Sequence, residues 1–148
     1  MAQGKTGLSN KRIQTLLIAA LVATVSFNLI SRYMNKQTYT QGAIMYNNFC
    51  ANCHMEDGSG LEGNIPPLAQ ADYFADDPSI MTCIINKGME GEIVVNGKTY
   101  NQPMAAIPQL TEFEITNIIN YISTSWGNDY PIIKLEQVRQ RLNEECPR

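Results

Sequence analysis

The stretch Cys50-Ala51-Asn52-Cys53-His54 constrains the fold more than any other part of the chain. Two cysteines three apart, with a histidine directly after the second, form the pattern that attaches a c-type haem. Within one helical turn each thiol reaches a different vinyl group of one porphyrin. The next side chain then points its imidazole along the haem axis, where the neutral ring of His54 supplies the proximal ligand. Half a zinc site and a thioredoxin-like redox pair are the competing uses of such a cysteine pair. His54 is the single histidine of the chain, and Cys83 and Cys146 lack the paired spacing of a second zinc knuckle. A thioredoxin motif follows a strand in a βαβ pattern, and none is legible nearby. The residues favour haem.

At 148 residues the chain has room for one domain plus accessories. Its net charge is −3, unevenly placed. Residues 1–31 carry Lys5, Lys11 and Arg12 and no acid, so the remainder has a net charge of −6. Such a surface disfavours nucleic acid and suits a protein partner with a basic or apolar patch. Two of the four cysteines belong to the haem motif, which leaves Cys83 and Cys146. Haem is attached to such motifs outside the cytoplasm, where free thiols tend to pair. A Cys83–Cys146 disulfide is the expected use of that remainder, with two buried, unpaired thiols as the alternative.

The N-terminus reads as a polar, basic lead, residues 1–12, expected in the cytoplasm. Residues 13–30 follow without a charge, interrupted only by Gln14, Thr15, Thr24, Ser26 and Asn28. As a helix this stretch spans roughly 27 Å, about the hydrocarbon thickness of a bilayer. Arg32, Tyr33 and Lys36 sit where interfacial anchors belong. The apolar run is longer than a typical signal core and lacks an Ala-x-Ala exit, so a single-pass transmembrane signal-anchor is expected rather than a cleaved signal. The haem domain would then lie on the outer, periplasmic side of the cell membrane.

Residues 31–40 read as a short polar tether, and the haem domain as 41–127. A helix from Gln41 runs into the motif. After His54 the chain turns polar and glycine-rich, then meets Pro66-Pro67, which impose an extended path. Asp77-Pro78 reads as a helix start, with Ile80, Met81, Ile84 and Ile85 as its apolar stripe and Gly88 as its stop. Asn96-Gly97 between two β-rich runs predicts a small hairpin. Thr111 with Glu114 predicts a capping box, and Ile115, Ile118, Ile119 and Ile122 give that helix its core face. Residues 128–148 read as a tail with an amphipathic helix from Ile132 to Glu145, packed on the domain and delivering Cys146 back to it.

A haem held by one histidine needs a decision at its sixth position. Of the seven methionines, Met1 and Met34 lie outside the domain. Met45 precedes the motif, Met55 is too close to His54 to reach the opposite face, and Met81 sits mid-helix. Met104 lies in a loop stiffened by Pro103 and Pro108, just before the last core helix. It is the favoured ligand, with Met89 left open as the alternative. A thioether there suits electron transfer better than ligand binding.

Over residues 41–126 the chain resembles the class I monohaem cytochromes c. Gly42 lies eight residues before Cys50 and Tyr46 four before it, while Ile118 and Tyr121 stand three apart on the last helix. In that family, positions so spaced make the crossing of the first and last helices. Pro66, twelve residues after His54, matches the proline whose carbonyl holds the proximal imidazole N–H, and Leu68 matches an apolar residue packed on the haem. The hairpin, the extra cysteines and the tail after Gly127 depart from the short mitochondrial type and resemble additions in small bacterial respiratory cytochromes.

The resemblance implies a mainly α, class I cytochrome c fold around one covalently bound haem c, with a small β-hairpin and an N-terminal transmembrane helix. It implies an electron carrier rather than an enzyme, working between a quinol-oxidising complex and a terminal oxidase, free or as a complex subunit, with no small-molecule substrate. Two rivals stand beside it. A haem sensor or enzyme would keep an open sixth site, and a structural subunit would use the tail helix for assembly. Trp126 and Tyr100 are expected either to line the haem pocket or to plug the core.

Overall fold

The computed structural model describes residues 10–144, with the side chains of residues 35–39 excepted. Lys5, the Lys36 side chain and Cys146 therefore lie outside the described residues. The chain divides into two compact units, Met1–Gln37 and Thr38–Arg148.

In the first unit, residues Asn10–Met34 are helical and apolar enough to cross a membrane by length and composition. Leu16, Leu17, Ile18, Leu21 and Phe27 are all exposed. Three of the polar interruptions, Thr15, Thr24 and Asn28, bond to the helix's own carbonyls. Thr15 Oγ1 donates to Lys11 O at 2.9 Å, Thr24 Oγ1 to Leu21 O at 2.8 Å, and Asn28 Nδ2 to Thr24 O at 2.7 Å. A hydrocarbon environment offers polar side chains no water, so such internal pairing suits a span. The helix α1 is continuous from Asn10 to Phe49. The stretch 31–40, expected as a tether, is thus helical. It holds no proline or glycine to stop the preceding turns.

The second unit is built from the C-terminal part of α1, the short α2 (Ala51–His54), α3 (Ile80–Lys87), a hairpin of β1 (Ile93–Val95) and β2 (Lys98–Tyr100), α4 (Glu112–Thr124) and α5 (Leu135–Asn143). A single 3₁₀ turn, Asp72–Phe74, bridges the loop before α3. The hairpin pairs Ile93 with Tyr100 and Val95 with Lys98, turning through Asn96 (φ 51°) and Gly97 (φ 73°). Both turn residues are left-handed, as this tight turn demands.

Gly42 is where α1 meets α4. A Cβ there would stand 2.7 Å from Tyr121 Cβ, and closer still to the Asn117 carbonyl oxygen. Around this crossing Tyr46, Ile115, Ile118 and Ile119 are fully buried. The predicted capping box is present: Thr111 Oγ1 accepts from Glu114 N, and Glu114 Oε2 accepts from Thr111 N at 2.8 Å. Thr111→Ala should lower unfolding free energy by about 1 kcal/mol. Chemical denaturation of the two proteins side by side measures it, and an unchanged midpoint would show that the cap contributes nothing.

Two helix starts fall later than the sequence suggests. Asp77 does not cap α3 directly. Its carboxylate accepts from Ser79 N at 3.1 Å, making a local turn, and the helix begins at Ile80. The tail helix begins at Leu135 rather than Ile132. Asn120 explains this, because its side chain accepts from Ile133 N at 2.9 Å and donates to Ile133 O at 3.0 Å. The Ile133 carbonyl, which a helix through this residue would use, is thereby occupied. From there α5 packs on both α3 and α4, with Val138 fully buried. Arg141 fastens it by donating to Asp77 Oδ2 at 2.8 Å and to Ser79 Oγ at 2.9 Å.

Candidate cofactor site

The helix α2 is one turn long, and that turn carries the motif. Cys50 N donates to Tyr46 O at 2.8 Å, and His54 N to Cys50 O at 2.9 Å, so α1 effectively continues through the motif. The turn sets His54 and both cysteines on the wall of one cavity of about 410 Å³. Neither Cys50 nor Cys53 stands in a disulfide. Cys50 is buried and Cys53 exposed.

His54 is 8 % exposed. Its Nδ1 lies 3.3 Å from the carbonyl oxygen of Pro66. A carbonyl only accepts, so Nδ1 carries the proton and Nε2 is left with its lone pair. Burial lowers the imidazole pKa, and the Pro66 hydrogen bond opposes that in smaller measure. The ring is therefore held neutral, in the tautomer a metal ligand requires. The Pro66 carbonyl is itself placed by a tight loop. Gly60 N donates to His54 O at 3.1 Å. A Cβ on Gly60, whose φ is +67°, would stand 2.6 Å from the Pro66 oxygen.

Met104 and Met89 line the same cavity. Their backbones pair, Met89 N to Met104 O at 3.0 Å and Met104 N to Met89 O at 2.9 Å. Ile107 N donates to Ile85 O at 2.8 Å, tying the same loop to α3. Gly88 permits the approach, since a Cβ there would lie 2.6 Å from Met104 O and 2.9 Å from Ala106 N. The two thioethers differ in their surroundings. The Tyr73 hydroxyl donates to Met89 Sδ at 3.9 Å.

The six residues expected to hold the cofactor (Cys50, Cys53, His54, Pro66, Leu68 and Met104) all line this one cavity, with Met81, Ile85 and Ile118 among its apolar walls. Tyr100 lines it too, whereas Trp126 packs on Tyr46 and Tyr121 with ring centroids 4.9 and 5.4 Å apart. Cys83 is buried on α3 and disulfide-bonded, while Cys146, its expected partner, lies outside the described residues.

Sequence reasoning missed several supports. Gly60 and Gly88 read only as loop and helix stop, and Tyr73 carried no signal. Asn128 was missed as well. Its buried side chain donates to Leu68 O at 3.0 Å and Ile122 O at 2.7 Å and accepts from Gln70 N, so it ties the cavity wall to α4.

The lining fits a haem. The cavity wall is largely apolar, as the faces of a porphyrin require, with an imidazole, two cysteines and a thioether among the lining side chains.

Comparison with known proteins agrees. The cytochrome c family model matches residues 39–126. Cytochrome c-552 of Thermus thermophilus is 36 % identical over 83 residues, covering 53 % of this chain and 63 % of that protein. The cytochrome c subunit of the quinone alcohol dehydrogenase of Gluconobacter oxydans is 32 % identical over 96 residues, covering 61 % of this chain and 19 % of the subunit. The cytochrome c subunit of gluconate 2-dehydrogenase from Pantoea cypripedii is 32 % identical over 90 residues, covering 59 % of this chain and 20 % of the subunit. The chain spans less than two thirds of each of these relatives.

The mainly helical fold with its small hairpin, and the match over more than half of the chain, place this protein in the cytochrome c family. Residues 39–126 form a cytochrome c electron-transfer domain, whose cofactor is covalently bound haem c.

Proposed function

We propose that the chain is a membrane-anchored monohaem cytochrome carrying electrons between a quinol-oxidising complex and a terminal oxidase. The observation that carries this reading is the placement of His54 and Met104 on the wall of one largely apolar cavity. Cys50 and Cys53 would hold the haem through thioether bonds. His54, through Nε2, and the Met104 thioether would ligate the iron, and Leu68 would pack against the haem. Haem supplies reversible one-electron chemistry at iron. The protein's part is to keep both ligands still. Pro66 orients the imidazole, and the paired backbones of Met89 and Met104 pin the distal loop. The apolar wall excludes water, and a thioether ligand in such a pocket favours the reduced state and raises the potential.

In this reading residues 13–30 anchor the chain in the cell membrane with Lys11 and Arg12 inside and the haem domain (41–127) on the periplasmic face. The tail, 128–148, is fastened to α3 by a Cys83–Cys146 disulfide. Confinement to the membrane plane raises the carrier's effective concentration at its partners. The chemistry needs no small-molecule substrate.

The dehydrogenase subunits among the relatives favour a second reading, that of a fixed subunit of a membrane complex. Membranes from cells lacking the chain separate the two. The carrier reading expects slower quinol-driven oxygen uptake, restored by wild-type protein but not by His54→Ala. Undiminished uptake, with the protein co-purifying in one dehydrogenase complex, would favour the subunit.

A further inference from the structure

The residue after the proximal histidine has an unusual backbone. Met55 has φ 63° and ψ 160°, a region that side-chain-bearing residues rarely enter without external support. Its carbonyl oxygen accepts from Gly58 N at 3.2 Å and from the Tyr46 hydroxyl at 2.6 Å. The second bond comes from a side chain nine residues earlier in the chain. Tyr46 is fully buried, and its ring is wedged against Tyr121 and Trp126 with centroids 5.4 and 4.9 Å away. The hydroxyl thus has no freedom to leave. A phenylalanine would serve the ring packing equally well, so the hydroxyl has a separable task.

We propose that the Tyr46 hydroxyl is a positioning group for His54. It holds the Met55 peptide in its left-handed turn and thereby sets the orientation of the imidazole on the haem. This rests on His54 being the proximal ligand. The imidazole is then fixed at both ends: Pro66 holds its Nδ1, and Tyr46 holds the backbone directly beyond its Cα. Without the hydroxyl, Met55 relaxes towards an ordinary backbone conformation and takes the histidine with it.

Imidazole orientation is read by the paramagnetically shifted haem methyl resonances of the oxidised protein. Tyr46→Phe should redistribute those resonances while the thioether–iron absorption band persists. Tyr130→Phe is the matched control, because Tyr130 also donates to a backbone carbonyl, that of Ala71 at 3.0 Å, away from the histidine. It should lower the melting temperature and leave the resonances in place. Glycine tolerates the Met55 conformation unaided, so the effect of Tyr46→Phe should be smaller in a Met55→Gly background. A wild-type resonance pattern in Tyr46→Phe, or an equal change in Tyr130→Phe, overturns the proposal. A wild-type protein without the low-spin spectrum of a histidine-ligated haem overturns the ligand assignment, and the proposal with it.

Discussion

Met104→Ala should convert a closed haem into an open one. The oxidised variant loses the weak long-wavelength band of a thioether–ferric bond, and the reduced variant binds carbon monoxide. Its midpoint potential falls by on the order of 0.1–0.3 V, a fraction of the roughly 0.8 V that axial ligands command. Met89→Ala should retain the band and the closed site. Both methionines line the cavity, but the Met89 sulfur already accepts from Tyr73, whereas the Met104 loop is tied to α3 through Ile107 and Ile85. Spectra of the two variants decide the matter. A band that survives in Met104→Ala and disappears in Met89→Ala would reverse the ligand assignment.

Gly42→Ala should be the most damaging small change to the domain. The new methyl would stand 2.7 Å from Tyr121 Cβ and closer to the Asn117 carbonyl. Neither neighbour can yield easily, because one is the root of a packed aromatic and the other is helix backbone. Overpacking of this kind costs about 2–3 kcal/mol. For a domain of this size that corresponds to a fall in Tm of ~10 °C or more. The loss arises from α1 being pushed off α4, so the effect should appear in the melting of the haem protein before any change in its axial ligands. Thermal unfolding followed by circular dichroism measures it, and an unchanged Tm would mean that the helices cross elsewhere.

The sequence made the centre of the site legible because covalent chemistry leaves little choice. Cys50, Cys53 and His54 need their spacing, and Asn96-Gly97 and Thr111-x-x-Glu114 are local patterns whose structure follows from their own residues. What stayed hidden was set by tertiary contact. Asn120 delays the start of α5 by bonding Ile133, a residue thirteen positions away. Asn128 bridges Leu68 to α4, which no local pattern announces. The hydroxyl of Tyr46 is invisible to periodicity, since an aromatic ring alone satisfies the helix crossing. The polar composition of residues 31–40 reads as a short tether, yet no residue there opposes the helix that precedes it.

The measurement that tests the account most directly is the absorption spectrum of the wild-type, membrane-extracted protein, oxidised and then reduced under carbon monoxide. A haem closed by His54 and Met104 shows the thioether–iron band when oxidised and an unchanged spectrum when reduced in the presence of the gas. An oxidised protein without that band, whose reduced form takes up carbon monoxide, would contradict the closed electron carrier and point to chemistry at an open iron.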